Sequence, residues 1–105
     1  MSWYLYRLQA SRPDFATTMT ETEMATMAAH VDYWRGPLDE GRVLIYSPVA
    51  DPERSWGMCV VRADSEAELE ELRDHDPAYL AGIGDVDWLL LPFPVVADVP
   101  STTPA

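Results

Sequence analysis

The strands predicted from this sequence carry apolar residues at successive positions, so both faces of the sheet that they form are apolar. In the stretch VLIY, Val43 and Ile45 point to one face, while Leu44 and Tyr46 point to the other. The first strand, WYLYRL, and the last one, WLLL, repeat this pattern. A sheet with one face in water alternates apolar with polar residues. The fold must therefore cover both faces of its sheet.

Turn and capping signals place two helices among four strands. The predicted strands are residues 3–8, 42–49, 56–63 and 85–96. Capping-box patterns begin the helices at Thr20 with Glu23 and at Ser65 with Glu68. The first helix loosens at Gly36-Pro37 and ends at Gly41, the second ends near Asp74, and residues 11–19 are predicted to be a loop. The order β-α-β-β-α-β predicts an α+β protein of the ferredoxin-like class, with an antiparallel sheet and two helices on one face.

Two helices cover one face of such a sheet, and the other face needs a partner. We expect that partner to be a second copy of the chain, which makes the protein a homodimer. A length of 105 residues is enough for one hydrophobic core. We therefore predict a single domain over residues 1–96, followed by a loose tail over residues 97–105.

Charge and composition exclude several classes of function. The net charge of −11 disfavours binding to nucleic acids and to anionic membrane surfaces. All seven basic residues are Arg, so Schiff-base chemistry and a lysine base are excluded. Neither a signal peptide nor a membrane span is evident, and we expect a cytoplasmic protein.

The sequence shows no pattern for a metal or an organic cofactor. The two histidines and Cys59 lie in different predicted elements, without metal-ligand spacing, and Cys59 in the apolar run MCVV is predicted to be a buried, inert thiol. Gly82-Ile83-Gly84 precedes a strand rather than a helix, so it is not a phosphate loop. We therefore expect no metal and no cofactor.

His30 is the leading candidate for a functional side chain. It lies within the first helix, whose predicted buried face consists of Met24, Met27, Ala28, Val31, Trp34 and Leu38. Counting around the helix places His30 at the edge of this apolar face, where an imidazole can contact a pocket and still reach water or a carboxylate. The alternative is a histidine that packs its ring against the core and bonds a backbone carbonyl.

Two further residues compete for a role. Asp76 precedes Pro77, and an Asp-Pro pair is a good N-cap and first residue for the short helical turn PAYLAG. That structural role needs no catalysis, although a capping carboxylate can also orient an imidazole. His75 ends the second helix four residues after Glu71, and a solvated ion pair there explains it more simply than a function does.

Several separate elements of the chain resemble the YciI-like (YCII-related) proteins. They are His30 with Tyr33 inside a helix, the segments LDEGRVLIYSPVADP, SEAELEEL and DHDPAYLAGI, and finally LLLPF. The resemblance runs from about Ala28 to Phe93. It implies a dimeric α/β barrel, in which two ferredoxin-like sheets pack face to face, and this agrees with strands that are apolar on both sides.

The resemblance also implies a site. In YciI-like proteins a helix histidine and the aspartate of the DP motif are taken to form a catalytic dyad, and the matching positions here are His30 and Asp76. Some relatives dehydrochlorinate or isomerise small aromatic or polyketide-like rings without metal or organic cofactor. The family usually has Gly where this chain has Ser47, and a hydroxymethyl group there could fill part of a pocket or add a hydrogen bond.

Two hypotheses for function follow. In the first, the protein is a cofactor-independent lyase or isomerase whose base is His30, oriented by Asp76. Residues expected to bind its small-molecule substrate are Tyr6, Arg7, Tyr33, Trp34 and Ser47. In the second, the barrel is a non-catalytic module that binds a small molecule, and His30 merely contacts the ligand. The sequence does not identify the ligand.

Overall fold

The computed structural model describes residues 1–97 and contains one antiparallel sheet with helices on one of its faces. In chain order the elements are β1 (Ser2–Ala10), α1 (Phe15–Thr18), α2 (Glu21–Asp39), β2 (Val43–Val49), β3 (Trp56–Ala63), α3 (Glu66–Asp74), α4 (Pro77–Leu80) and β4 (Gly84–Leu91). The strand order in the sheet is β2-β3-β1-β4. With α2 and α3 as the two long connections, this confirms the predicted ferredoxin-like α+β fold.

Two segments differ from the prediction by more than two residues. Residues 11–19 are not entirely a loop, because Phe15 buries its ring and the short helix α1 forms around it. The last strand ends at Leu91 instead of Val96. Pro92 and Pro94 follow directly, and a proline has no N–H with which to continue a ladder of hydrogen bonds.

Helix α2 begins as predicted but packs on a different face. At its N-terminus the Thr20 hydroxyl accepts the Glu23 N–H and the Glu23 carboxylate accepts the Thr20 N–H, so the capping box is complete. The helix continues through Pro37, and Gly41 follows it in the left-handed conformation with φ +77°. Its buried residues are Trp34 and Pro37.

The predicted buried face of α2 is partly wrong. Met24 and Val31 are 53% and 47% exposed, and Ala28 is exposed as well. The helix is rotated toward the side that carries His30, which lies inside the packed face rather than at its edge. The physical reason is a buried carboxylate beneath the helix, to which N–H groups on this side of α2 are bonded.

Helix α3 begins with half of the predicted capping box. The Ser65 hydroxyl accepts the Glu68 N–H at 3.4 Å, as expected. The Glu68 carboxylate, however, accepts the N–H of Asp64 at 2.6 Å and not that of Ser65. The reciprocal bond is therefore displaced by one residue toward the N-terminus.

The core lies between the helices and one face of the sheet. The side chains of β1 and β3 that point to this face are buried; they are Tyr6, Leu8, Ala10, Cys59, Val61 and Ala63. The opposite face, here called the open face, carries apolar cross-strand neighbours such as Leu5 with Leu89 and Ile45 with Val60. Leu89 and Ile45 are each about half exposed, at 51% and 48%. No described helix covers the open face.

Two further predictions were a loose C-terminal tail and the absence of a membrane span. Residues 98–105, nearly all of the predicted tail, lie outside the described residues. Within residues 1–97, no helix combines the length and the apolar character that crossing a membrane requires.

Candidate active site

Asp76 is a completely buried carboxylate that accepts three N–H hydrogen bonds. As the N-cap of α4, its Oδ1 accepts the backbone N–H of Ala78 at 2.9 Å. The same oxygen lies 2.7 Å from His30 Nδ1, and Oδ2 accepts the indole N–H of Trp34 at 2.9 Å. The capping role inferred from the sequence is therefore present, together with two side-chain partners from α2. Three donors around two oxygens are the surroundings that an ionised carboxylate needs in a protein interior.

His30 meets Asp76 within the distance expected for a hydrogen-bonded pair. The carboxylate is surrounded by donors, so Nδ1 of His30 carries the proton of this bond and Nε2 is left without one in the neutral ring. The side chain of His30 is 16% exposed, and no described residue bonds Nε2. His30 also lines a cavity, so Nε2 is the ring nitrogen available to a ligand there. The catalytic role of the pair stays a prediction.

The cavity has a volume of about 420 Å³ and lies between the helices α1 and α2 and the strands β1, β2 and β3. Its wall is mostly apolar, with contributions from Leu8, Phe15, Met19, Met27, Val31, Trp34, Val49, Trp56, Met58 and Ile83. Among the described residues that line it, none is Arg, Asp or Glu. The cavity is therefore suited to a small ligand without a full charge.

Most hydroxyl groups at this wall are already used by the protein. Tyr46 donates to the carbonyl of Val31 at 2.9 Å, and Ser55 donates to the carbonyl of Pro13 at 3.0 Å. Ser47, the residue at which the sequence departs from the family pattern, lines the cavity and donates to the carbonyl of Pro48 at 2.8 Å. Among the described residues, His30 thus offers a ligand a ring nitrogen that no other residue bonds.

Tyr6 and Trp34, both predicted to bind substrate, line the cavity. The Tyr6 ring is 2% exposed, and its hydroxyl has no hydrogen-bond partner among the described residues. Burial, and then the negative charge of Asp76, raise the pKa of the Tyr6 phenol far above its ordinary value, so it stays protonated. Trp34 has a contact that the sequence did not indicate, because its indole N–H donates to the carboxylate of Asp76.

The other two predicted substrate-binding residues, Tyr33 and Arg7, lie outside this cavity. Tyr33 is turned away from the cavity because its hydroxyl donates to the carbonyl of Leu72 at 2.7 Å, and it lines a separate polar groove with His75. Arg7 lies on the open face, where strand alternation points it away from Tyr6 and where it pairs with Asp87. Neither side chain is part of the cavity wall, and a substrate-binding role for either one stays a prediction.

The competing groups have structural roles. His75 bonds the backbone carbonyl of Glu71 at 2.9 Å, instead of forming the predicted ion pair with its carboxylate. Cys59 is buried, and burial followed by the charge of Asp76 raises the pKa of its thiol to about 12. The thiol is therefore protonated at neutral pH and is no nucleophile. Within residues 1–97, no group of three or more His, Cys, Asp and Glu side chains is placed to hold a metal ion.

Several residues that line the cavity could not be identified from sequence patterns. Phe15 and Met19 come from the stretch predicted to be a loop, and Ile83 lies in the turn before β4. Gly57 forms part of the wall because it has no side chain there. The burial of Phe15, an aromatic residue between turn signals, is the one feature that could have been noticed in the sequence.

The chain matches one protein family and resembles a solved enzyme structure. The family described as the YCII-related domain matches residues 4–87. No curated protein matches the chain. Among solved structures, the chain resembles 5-chloro-2-hydroxyhydroquinone dehydrochlorinase (TftG) from Burkholderia phenoliruptrix AC1100 in complex with 2,5-dihydroxybenzoquinone. The TM-score is 0.66 and the identity 14%, over 83% of this chain and 90% of that one. This likeness shows a shared fold.

Proposed function

The chain belongs to the YCII-related family, and on that premise we propose that it is a cofactor-independent enzyme acting on a small aromatic or polyketide-like ring. In this proposal His30 is the base that removes a proton from the substrate, and Asp76 orients it. The observation that carries the proposal is the 2.7 Å hydrogen bond from His30 Nδ1 to a buried carboxylate, made by an imidazole that also lines an apolar cavity.

The pair suits proton transfer at neutral pH. Asp76 holds the proton on Nδ1, so Nε2 can accept a proton from a phenolic O–H or from a C–H next to a carbonyl. The electrons of the broken bond stay on the substrate, where they form a phenolate or an enolate. They then expel a leaving group, shift a double bond or close a ring. The imidazolium formed on His30 is stabilised by the adjacent carboxylate until it returns the proton.

The wall of the cavity narrows the class of substrate. A carboxylate or phosphate on the substrate would be desolvated there without a cationic partner, since no Arg lines the cavity among the described residues. An uncharged ring with hydroxyl or carbonyl groups meets no such penalty. The solved relative is named as a dehydrochlorinase of a chlorinated hydroxyhydroquinone, a ring of this kind. That name supports the proposed class and not a particular substrate.

We further propose that the protein is a homodimer whose copies pack through the open face of the sheet. Leu5, Leu89 and Val60 form a continuous apolar strip there, and Ile45 extends it across β2. A strip of this kind in water favours association. Two sheets packed face to face give the dimeric α/β barrel that the family resemblance implies. The cytoplasmic location also stays a prediction.

A direct test measures turnover and affinity separately. The probes are hydroquinone, chlorohydroquinone, 5-chloro-2-hydroxyhydroquinone and 2,5-dihydroxybenzoquinone, with product followed by absorbance and binding by calorimetry. We expect His30→Gln to lower turnover by about 10²- to 10⁴-fold and to change affinity much less. His75→Gln is the matched control and should leave both unchanged. Binding without turnover by the wild type, with affinity lost in His30→Gln, would indicate a binding module instead.

A further inference from the structure

Two N–H groups from successive turns of α2 bind the two oxygens of one carboxylate. His30 Nδ1 lies 2.7 Å from Asp76 Oδ1, and Trp34 Nε1 lies 2.9 Å from Asp76 Oδ2. Residues four apart lie on the same face of a helix, so both donors reach the same side chain. The backbone N–H of Ala78 holds Oδ1 from the other side at 2.9 Å. Trp34 therefore supplies the single donor that Oδ2 has among the described residues.

We propose that Trp34 is a positioning residue of the proton-transfer site. Its indole N–H fixes the rotation of the Asp76 carboxylate so that Oδ1 faces His30 Nδ1. Trp34 acts through Asp76 and not on the reacting atoms. This proposal rests on the proposed function, because that function is what gives the His30–Asp76 pair its role in proton transfer. The hydrogen bonds among Trp34, Asp76 and His30 are present without substrate.

The N–H, and not the bulk of the ring, is what this role requires. The terminal torsion of an aspartate side chain is broad, so packing alone does not fix the orientation of its carboxylate. Without the indole N–H, Oδ2 would be a fully buried charged oxygen with no described partner, and the carboxylate would turn to share its remaining donors. His30 Nδ1 would then lose its fixed acceptor, and the ring proton could move to Nε2, the nitrogen that must stay free.

Packing alone would be preserved by another aromatic ring. Trp34 is 1% exposed and contacts Tyr6 edge to face, with ring centroids 5.0 Å apart. A phenylalanine ring can make a contact of the same kind. Trp34→Phe therefore removes the N–H and keeps an aromatic side chain in the cluster.

The test reads the tautomer of His30 by NMR of its ring nitrogens in the full chain. We expect the neutral ring of the wild type to carry its proton on Nδ1, and Trp34→Phe to shift the ratio of tautomers toward Nε2–H by about three- to tenfold, the equivalent of one hydrogen bond. Trp88→Phe is the matched control. Trp88 also donates its N–H to a carboxylate, that of Glu66 at 2.8 Å, and stacks on Tyr6, but it does not touch Asp76.

A second measurement needs no substitution and decides the case if Trp34→Phe fails to fold. As His30 gains its second proton on acidification, the charge at Asp76 is redistributed. The indole N–H resonance of Trp34 should then move with the same midpoint as the His30 ring, while that of Trp88 should not. The proposal would be overturned if folded Trp34→Phe kept the wild-type ratio of His30 tautomers. It would also be overturned if the indole N–H resonance of Trp34 did not shift as His30 is protonated. Lack of turnover with every ring probe would count against the proposed function and leave these NMR results unaffected.

Discussion

Arg7 and Asp87 face each other across β1 and β4 and join at two points, Nε to Oδ1 and Nη2 to Oδ2, both at 2.8 Å. Gln9 donates to the same carboxylate at 3.3 Å. The hydrogen bonds and charge of Arg7 hold the pKa of the Asp87 carboxyl below its ordinary value. This polar cluster lies beside Leu5 and Leu89 on the open face. A two-point ion pair is directional, so we expect it to fix the register in which a second copy can pack there.

The first prediction concerns assembly. Light scattering at micromolar concentration should give twice the chain mass for the wild type, because the open face leaves apolar side chains in water. Leu89→Arg places a charge on that face and should give a single chain mass or an insoluble protein. Met24→Arg is the control, since Met24 is equally exposed at 53% but lies on α2. A wild type that scatters as a folded monomer would contradict the barrel.

The second prediction concerns the buried carboxylate. Asp76→Asn should lower the free energy of unfolding by about 1–3 kcal/mol, the cost of a buried donor without an acceptor. The indole N–H of Trp34 and the backbone N–H of Ala78 bind different oxygens of Asp76. In Asp76→Asn the side-chain NH₂ replaces one of these oxygens, so in either orientation of the amide it faces one of the two N–H donors. Urea unfolding measures the difference.

Asp51 provides the control for this comparison. Its carboxylate also accepts one backbone N–H, from Glu53 at 2.8 Å, and one indole N–H, from Trp56 at 3.0 Å. It is only partly buried, so the amide of Asp51→Asn can turn toward water and the cost should stay below about 1 kcal/mol. Equal costs at the two positions would show that burial of Asp76 is not the deciding factor.

The third prediction concerns the cavity. A Cβ added at Gly57 would have the backbone oxygen of Ser47, 3.6 Å away, as its one neighbour within 4 Å among the described residues. Gly57→Leu should therefore fold, occupy part of the cavity, and weaken binding of the ring probe by at least about tenfold. Gly36→Ala, a helix position with open space around it, should leave binding unchanged. Calorimetry that finds wild-type affinity in Gly57→Leu would place the ligand elsewhere.

The fourth prediction concerns acid stability. Hydrogen bonds from the Arg12 guanidinium at 2.7 and 2.9 Å, and then from the Thr20 N–H, lower the pKa of Glu23 from 4.5 to about 2. A lowered pKa in the folded state stabilises the protein above the ordinary value, and this contribution is lost as the pH falls toward about 2.

Glu23→Gln removes this contribution. Over that interval its melting temperature should fall less steeply with pH than that of the wild type. Glu21→Gln, in the same first turn of α2 but without an arginine partner among the described contacts, should give a curve parallel to the wild type. Parallel curves for wild type and Glu23→Gln would show that the ion pair does not form in solution.

Local signals in the sequence were sufficient to predict the order of elements. The capping box at Thr20 and the apolar runs each act within a few residues, and they specify where a helix begins and which segments form strands. Pro92 and Pro94 also mark the end of β4, but the prediction extended this strand past them to Val96.

Apolar residues at successive strand positions likewise predicted a second apolar sheet face. The assignment of Val43 and Ile45 to the same face was wrong, because a register shift between them puts Val43 in the core and Ile45 on the open face. The approach of His30 to Asp76, 46 residues apart, was expected from the family resemblance and from no local rule.

The contents of the cavity could not be predicted in the same way. Tyr33 and Trp34 are adjacent in sequence, yet one bonds the Leu72 carbonyl and the other bonds Asp76. The rotation of α2 decides between them, and that rotation depends on the buried carboxylate below the helix. Arg7 directly follows Tyr6 in β1, so strand alternation in the sequence already indicated that the two side chains point to opposite faces of the sheet.

The carboxylate of Asp76 contributes no atom to the cavity wall, since it reaches the cavity through His30. Much of the rest of that wall comes from α1, β2 and β3, which hold neither member of the pair. Under the proposed function, substitutions at Met19, Ser47 or Gly57 would therefore change the shape of the ring that the cavity accepts and leave the His30–Asp76 pair unaltered. If the proposed function holds, single substitutions in this wall would let a lineage change its substrate while it keeps the base and the carboxylate that orients it.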